Sequence, residues 1–214
     1  LCTIFTFLCS VCNMDKKRTI AAALCIIPAV ILLLVVPMRR KETKYFADRG
    51  KVFGTYYNVQ YEASDNLQSD ILSAFEAFDN SLSMFNPNSV ISHINQNRDT
   101  TTDVYFEQMW QEAARVYQES NGAFDITVAP LVNLWGFGFK NREQVTQEKI
   151  DSLLPLVGFD KVHLTAHHVV KNDPRTMLDA SAVAKGQACD MIAALLTDKG
   201  CKNYLVDIGG EVVA

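Results

Sequence analysis

The sequence predicts a fold of the α+β class. Helical and strand patterns are interleaved irregularly along it, and short strand patterns follow one another directly, as in VHLT and HVVK. A doubly wound parallel sheet would instead alternate strands and helices regularly. We therefore expect a mixed or antiparallel sheet with packed helices, formed as one domain over residues 45–214.

Two segments precede this domain. Leu1 is not a start residue, whereas Met14 is followed by basic residues as in the first part of a signal sequence, so we predict that residues 1–13 are upstream translation. Residues 14–44 then predict a signal or anchor segment, because the apolar run 20–36 is just long enough to cross a bilayer as a helix. Whether this segment is cleaved stays open.

Charge divides the chain at the same place. From Tyr45 onward there are 13 basic residues against 22 acidic ones, a net charge of −9. Proteins that bind nucleic acids need clustered cationic residues to displace counterions, so we expect no nucleic-acid partner. Aliphatic and aromatic residues are spread through this acidic part, which excludes a disordered chain.

The domain begins with a strand and a helix. Residues 51–63 alternate as a strand does, and Gly54 predicts a bulge or a close backbone approach. Apolar residues then recur at helical spacing over 65–82, with Ser64 or Asp65 as the N-cap.

Capping and stop signals predict the remaining helices. These helices run from the Ser89 cap to Ile94, over 103–120 with Asn121–Gly122 as the stop, from Thr146 to Leu154, and from the Ser181 cap to Lys199 with Gly200 beyond it.

The other strands are short. VHLT and HVVK predict a hairpin, residues 177–179 another strand, and YLVDI a buried strand that turns at Gly209–Gly210 into EVV. Cys189 and Cys201 are separated by about 15 Å of predicted helix rise, well past the roughly 7 Å limit for a bridge, so we expect no disulfide between them.

The segment GAFDITVAPLVNLWGFG is the first candidate for chemistry. It places Asp125 among apolar and glycine residues directly after a helix end. A carboxylate in such surroundings is costly unless it is hydrogen-bonded, so it either caps a loop or contacts a ligand. Both interpretations remain open from the residues alone.

Two further segments are candidates for ligand binding. LDASAVAKGQACD places Asp179 at a strand end and Lys185 in the first turn of a helix, where free N–H groups and a lysine attract phosphates. The alternative is that Lys185 is an ordinary solvated lysine. In DIGGEVV the glycines permit close approach to a ligand or simply form a turn.

A histidine metal site is not predicted. His167 and His168 are adjacent and would face opposite sides of a strand, and no Cys or acidic partner stands at ligand spacing from the four histidines.

Five segments in order resemble one family. They are FGTYYNVQY, LSMFNPNSVISHIN, GAFDITVAPLVNLWGFG, LDASAVAKGQACD and YLVDIGGEVVA, covering essentially all of residues 50–214. They resemble the ApbE family, flavin transferases (FAD:protein FMN transferases) of the outer face of bacterial membranes. The resemblance implies an ApbE-like fold behind an inner-membrane anchor, with the domain on the periplasmic face.

The same resemblance implies the reaction. FMN would be moved from FAD to a Ser or Thr hydroxyl of a target flavoprotein, with Mg2+ and release of AMP. Flavin contacts would fall on Phe53, Phe85, Ala123, Phe124, Asp125, Asp179 and Lys185, and a main-chain metal ligand on Ala182. Phe53 stands where many members have Met, and we expect its contact to persist as packing.

The chain also departs from the family pattern. Members continue past the GGE turn into a segment with a His-Ile-x-Asp-Pro motif and further metal ligands, and this sequence stops at Ala214. We expect this chain to be a C-terminally truncated part whose catalytic base lies beyond residue 214. The alternatives are Mg-dependent FAD pyrophosphatase activity, in which water replaces the acceptor hydroxyl, and a non-catalytic membrane-anchored FAD-binding protein.

Overall fold

A computed structural model describes residues 42–137 and 144–214, and its main sheet is antiparallel, with strand order β1–β2–β5–β6. A separate hairpin, β3–β4, is also antiparallel. The six strands are β1 Lys44–Val52, β2 Thr55–Ala63, β3 Val162–Thr165, β4 His168–Lys171, β5 Tyr204–Ile208 and β6 Glu211–Val213. Together with the interleaved helices, these strands confirm the predicted α+β class.

Six α-helices are described between these strands. They are α1 Gln68–Leu82, α2 Val90–Asn95, α3 Val104–Glu119, α4 Ala129–Leu134, α5 Gln147–Leu153 and α6 Ser181–Asp198. Helix α4 was not predicted, although Pro130 in its first turn is a common helix-start signal.

The prediction of a single strand over 51–63 is wrong. The chain reverses at Phe53 and Gly54, which both have left-handed backbone angles (φ 50° and 73°), so β1 and β2 are joined by a two-residue turn. Gly54 is therefore a turn residue and not a bulge. A bulky residue seldom adopts positive φ, and Phe53 does so here while its ring packs against Phe75 and Phe78 at 5.8 and 5.4 Å between centroids.

Side-chain caps fix the starts of three helices. The cap at Ser89 is as predicted, whereas Asp103 and Thr146, predicted as first helical residues, each precede their helix by one residue. Ser89, Asp103 and Thr146 each accept a hydrogen bond from a backbone N–H in the first turn of α2, α3 and α5. The predicted cap of α1 at Ser64 or Asp65 is wrong, because the helix begins at Gln68.

The segment before α6 differs from the prediction in two ways. Residues 177–179 form no strand, and only a single bridge joins Met177 to Val128. Ser181 is the first helical residue and not the cap; its N–H donates to the Asp179 carboxylate at 2.8 Å. Gly200 follows the helix with φ 84°, as a C-terminal glycine does.

The core lies between the main sheet and helices α1, α3 and α6. Inward-facing side chains of β2 and β5 meet the apolar faces of these helices, and burying this surface is the main stabilising contribution. Fully buried members include Val59, Tyr61, Ile71, Phe78, Phe106, Ile192, Val206 and Ile208. Cys189 and Cys201 are both buried and free.

The predicted leader at 1–13 and the transmembrane stretch at 20–36 lie outside the described residues. Within residues 42–137 and 144–214, no helix is both long and apolar enough to span a bilayer.

Candidate functional site

Two cavities meet at the turn that follows α1, where Met84 and Phe85 line both. The smaller has a volume of about 140 Å³ and brings together three predicted site residues, Phe53, Phe85 and Lys185. They come from the β1–β2 turn, the turn after α1 and the second turn of α6. Residues far apart in the sequence thus lie together near the N-terminus of α6.

The larger cavity, of about 670 Å³, lies on the other side of Phe85. Its walls come from α2, α4, α5 and residues 175–177, and its size falls in the range of small-molecule and cofactor sites. Apart from Phe85, none of its lining residues had been predicted as a site residue. Its lining includes Met84, Phe85, Ser92, Asn95, Pro130, Asn133, Leu134, Lys149, Leu153, Arg175 and Met177.

The charges around both cavities have one sign. Lys149 and Arg175 line the larger cavity and Lys185 lines the smaller, whereas no acidic side chain of the described residues lines either. Cationic and apolar walls in a domain of net charge −9 favour a ligand that is both anionic and aromatic.

Arg175 is held in place by its neighbour. Its guanidinium donates two hydrogen bonds to Asp173, at 3.0 Å from Nε to Oδ1 and 2.6 Å from Nη2 to Oδ2. The guanidinium lowers the pKa of the Asp173 carboxyl to about 2, so this pair stays charged at neutral pH.

Phe85 is 71% exposed although it is a large apolar residue. The turn that presents it is braced by Ser89 Oγ, which donates to Ser83 O at 2.7 Å, and by Asn86 Nδ2, which donates to Asp79 Oδ2 at 2.9 Å. An exposed aromatic ring on a braced turn gives both cavities an apolar surface that suits a planar ligand.

Lys185 is 41% exposed, and its Nζ lies 3.9 Å from Glu211 Oε1. This is a loose pair between two exposed groups, which contributes little to stability. The exposure suits an ordinary solvated lysine as well as a ligand contact. Its place on the wall of the smaller cavity is what favours the second interpretation.

Asp179 and Ala182 lie at the beginning of α6, before Lys185 in the sequence, and neither lines either cavity. The Asp179 N–H donates to Ile126 O at 2.7 Å, and the part-buried carboxylate accepts from Ser181 N–H through Oδ1. Ala182 is exposed in the first helical turn. Among the described residues, no group of three or more His, Cys, Asp or Glu side chains could hold a metal ion.

The Ala123–Phe124–Asp125 triplet lines neither cavity. Ala123 is exposed, and Phe124 N–H donates to Ser120 Oγ at 3.0 Å. Both carboxylate oxygens of Asp125 accept hydrogen bonds from loop residues, from Thr127 N–H and Oγ1 at 2.8 and 2.6 Å and from Phe159 N–H at 2.9 Å. Asp125 therefore caps a loop, which is one of the two interpretations left open.

The glycines of DIGGEVV form the turn between β5 and β6. Gly209 and Gly210 both have positive φ, and a Cβ on Gly209 would lie 2.8 Å from the Thr55 side chain. The packing of the neighbouring turn accounts for Gly209 without a ligand.

Asn95 also belongs to this site, although no sequence pattern predicts it. It is the last residue of α2, it lines the larger cavity, and its side-chain amide bonds both backbone groups of Leu178. An asparagine at a helix end in a polar stretch gives no sequence signal for such a contact, since the partner stands 83 residues later.

Comparisons with known proteins agree on one family. The ApbE family profile matches residues 53–214. The FAD:protein FMN transferases of Haemophilus influenzae and of Vibrio cholerae are 33% and 31% identical to the chain, covering 87% and 86% of it. These matches take in 59% and 58% of the two relatives, so the chain spans somewhat more than half of their length.

Solved structures give the same result. The flavin transferase ApbE from Vibrio cholerae superposes with a TM-score of 0.75 at 31% identity, over 79% of this chain and 59% of that one. The apo Pseudomonas stutzeri flavinyl transferase ApbE gives 0.73 at 26% identity, over 79% and 58%. The chain belongs to the ApbE family.

Proposed function

We propose that this protein is a flavin transferase that moves FMN from FAD onto a Ser or Thr hydroxyl of a target flavoprotein, releasing AMP. The names of its relatives, FAD:protein FMN transferase, support the reaction class. The observation that carries the proposal is the convergence of Phe53, Phe85 and Lys185 on one cavity, where the lysine is the only charged lining residue among those the structure describes.

The reaction balances without an oxidant or reductant. The acceptor hydroxyl oxygen forms a bond to the phosphorus on the FMN side of the pyrophosphate, and the bond from that phosphorus to the AMP oxygen breaks. AMP carries away the electron pair, and the hydroxyl proton passes to a base or to water. FMN remains on the target as a phosphoester.

The residues at the site suit the parts of such a substrate. Lys185, near the N-terminus of α6, would bind the pyrophosphate, whose negative charge the helix dipole also favours. Phe85 would stack on an aromatic ring, and Asp179 would accept hydrogen bonds from N–H or hydroxyl groups of the ligand. Catalysis would then rest mainly on positioning and on stabilising phosphate charge.

The Mg2+ requirement is part of the proposal. A hard cation prefers oxygen ligands, and the described residues offer the Asp179 carboxylate and the Ala182 carbonyl, without a cluster of three ligating side chains. These residues would be at most part of a metal site. Loss of labelling in EDTA, restored by excess Mg2+, is the expected result.

Incubating the full-length protein with FAD, Mg2+ and a candidate flavoprotein tests the proposal. We expect a target that stays fluorescent after denaturation, with AMP released in equal amount to bound FMN. AMP together with free FMN would identify a pyrophosphatase, and intact FAD in a complex would identify a non-catalytic binding protein. Either result would overturn the transferase assignment.

We also propose that the protein is anchored in the inner membrane, with its domain on the periplasmic face. The apolar run at 20–36 and the basic residues that follow Met14 support this location. The protein should sediment with membranes and be digested by protease added to spheroplasts. Recovery in the soluble fraction, or protection from that protease, would contradict the location.

A further inference from the structure

We propose that Asn95 is a positioning residue for FAD binding, because its side chain fixes Leu178 and thereby the neighbouring Asp179 at the start of α6. The inference rests on the proposed function, since it takes the ligand to be FAD. It assigns a role to a residue that touches the backbone of the site and not the reacting atoms.

The contact is bidentate and buried. Asn95 is 7% exposed; its Nδ2 donates to Leu178 O at 2.9 Å, and its Oδ1 accepts from Leu178 N–H at 2.7 Å. A single amide side chain thus satisfies both backbone groups of one residue, as a neighbouring strand would. This explains how residues 177–179 run between helices without being part of a sheet.

Asp179 is fixed from a second direction. Leu178 is fully buried, and the next N–H, that of Asp179, donates to Ile126 O at 2.7 Å. The backbone on both sides of the Asp179 N–H is therefore held, by Asn95 through Leu178 and by the loop that follows α3. The carboxylate of Asp179 has little freedom to move while both contacts last.

Asn95 also connects the two cavities. It lines the larger one directly, and the segment it holds leads into α6, whose residues Ser181, Ala184 and Lys185 line the smaller one. A shift of Leu178 would therefore change the walls of both cavities together. No other side chain of the described residues bonds the backbone of Leu178.

The rest of this segment has separate attachments. Lys171 Nζ donates to Pro174 O and Thr176 O at 3.2 and 2.9 Å, and Asn97 Nδ2 donates to Pro174 O at 2.9 Å. Because these contacts do not involve Asn95, replacing Asn95 should release Leu178 and Asp179 without detaching residues 174–176. The variant is therefore expected to fold.

The test measures the Kd of FAD for the full-length protein and for Asn95→Asp. The new carboxylate can still accept from Leu178 N–H, but it sets an oxygen against Leu178 O in place of the donor. We expect Kd and the KM for FAD to rise by about tenfold or more, which is the usual effect of a lost buried hydrogen bond. A smaller amount of folded protein would instead lower kcat and leave KM unchanged, so the rise in KM separates a positioning effect from a loss of folded protein.

Asn97→Gly is the matched control. It removes an amide that bonds the same segment, and glycine tolerates the left-handed φ of 55° at this position, so FAD affinity should stay within about twofold. Equal weakening by both variants, or unchanged FAD binding by Asn95→Asp, would overturn the inference. Absence of FAD binding by the unaltered protein would instead overturn the proposed function.

Two further measurements test the inference if the Asn95→Asp variant proves insoluble. Asn95→Ser is uncharged and too short to reach both groups of Leu178, so the same rise in Kd is expected. In the unaltered protein, FAD should slow hydrogen exchange of the Asp179 amide by at least about tenfold, since opening of this segment would abolish binding. An exchange rate unaffected by saturating FAD would contradict the inference.

Discussion

Asp125 and Phe159 lie 34 residues apart, and the carboxylate of the first accepts a hydrogen bond from the backbone N–H of the second at 2.9 Å. The Phe159 ring lies against Trp110 and Tyr117 of α3, with centroids 4.8 and 5.1 Å away. Thr127 adds a second link, since its Oγ1 accepts from Gly158 N–H at 2.7 Å. The hydrogen bonds of Asp125 thus link the segment before β3 to the loop after α3.

Asp125→Ala should therefore destabilise the fold. The substitution leaves the N–H groups of Thr127 and Phe159 without their acceptor, and we expect the free energy of unfolding to fall by about 2 kcal/mol. Urea denaturation measures this change. Asp160→Ala, which removes an exposed carboxylate one residue past Phe159, should change it by less than about 0.5 kcal/mol. Equal effects of the two variants would contradict the capping role.

Only part of the candidate site could be predicted from the sequence. Phe53, Phe85 and Lys185 were proposed from the family resemblance and lie on one cavity. Asn95 escaped because its role depends on a backbone group far along the chain. The role of Asp125 stayed open because a carboxylate among apolar residues looks the same in the sequence whether it bonds a loop or a ligand.

Replacing Lys185 should separate binding from stability. Lys185→Met keeps most of the apolar stem and removes the charge, so FAD affinity should fall by about tenfold or more, as for a lost charge-assisted hydrogen bond to phosphate. The free energy of unfolding should change by less than about 0.5 kcal/mol, because the pair with Glu211 is long and exposed. Titration of FAD and urea denaturation measure the two quantities.

Lys199→Met is the matched control for Lys185. Lys199 directly follows α6, is similarly exposed and pairs with Asp70 at 2.5 Å, away from both cavities. It should leave FAD affinity unchanged. If both lysine variants weakened FAD equally, the effect would be general electrostatic attraction and not contact at the cavity.

Phe85→Ala should weaken FAD with little loss of stability. The ring is 71% exposed and lines both cavities, so its removal takes away a stacking surface and very little buried area. We expect about a tenfold rise in Kd for FAD. Tyr45→Ala, which removes a 74% exposed ring that lines neither cavity, should leave Kd unchanged. Unchanged affinity of Phe85→Ala would remove Phe85 from the site.

The fold could be predicted where signals are local. The caps at Ser89, Asp103 and Thr146 act within one turn, and all three helices begin within one residue of the predicted start. The turn at Phe53–Gly54 was not predicted because phenylalanine disfavours a positive φ. Here Phe53 adopts that angle while its ring packs against Phe75. Tertiary contacts overrode local preference there.

A buried network at one end of the sheet offers a test of stability against pH. Tyr61 is fully buried; its hydroxyl donates to Asp48 Oδ2 and accepts from Leu67 N–H, both at 2.8 Å. Tyr61→Phe leaves a carboxylate and an N–H without this partner, so the free energy of unfolding should fall by about 2 kcal/mol near neutral pH.

Burial, with a smaller contribution from Asp48, raises the pKa of Tyr61 from 10.0 to about 12. The unfolded chain therefore releases this proton at lower pH than the folded chain, so the stabilisation is complete below pH 10 and is lost as pH rises toward 12. The difference in unfolding free energy between the unaltered protein and Tyr61→Phe should shrink over that interval when measured by urea denaturation. Tyr56→Phe, at a 68% exposed residue of the same strand, should match the unaltered protein throughout. A difference for Tyr61→Phe that stayed constant up to pH 12 would show that the hydroxyl is not held in its protonated form by the fold.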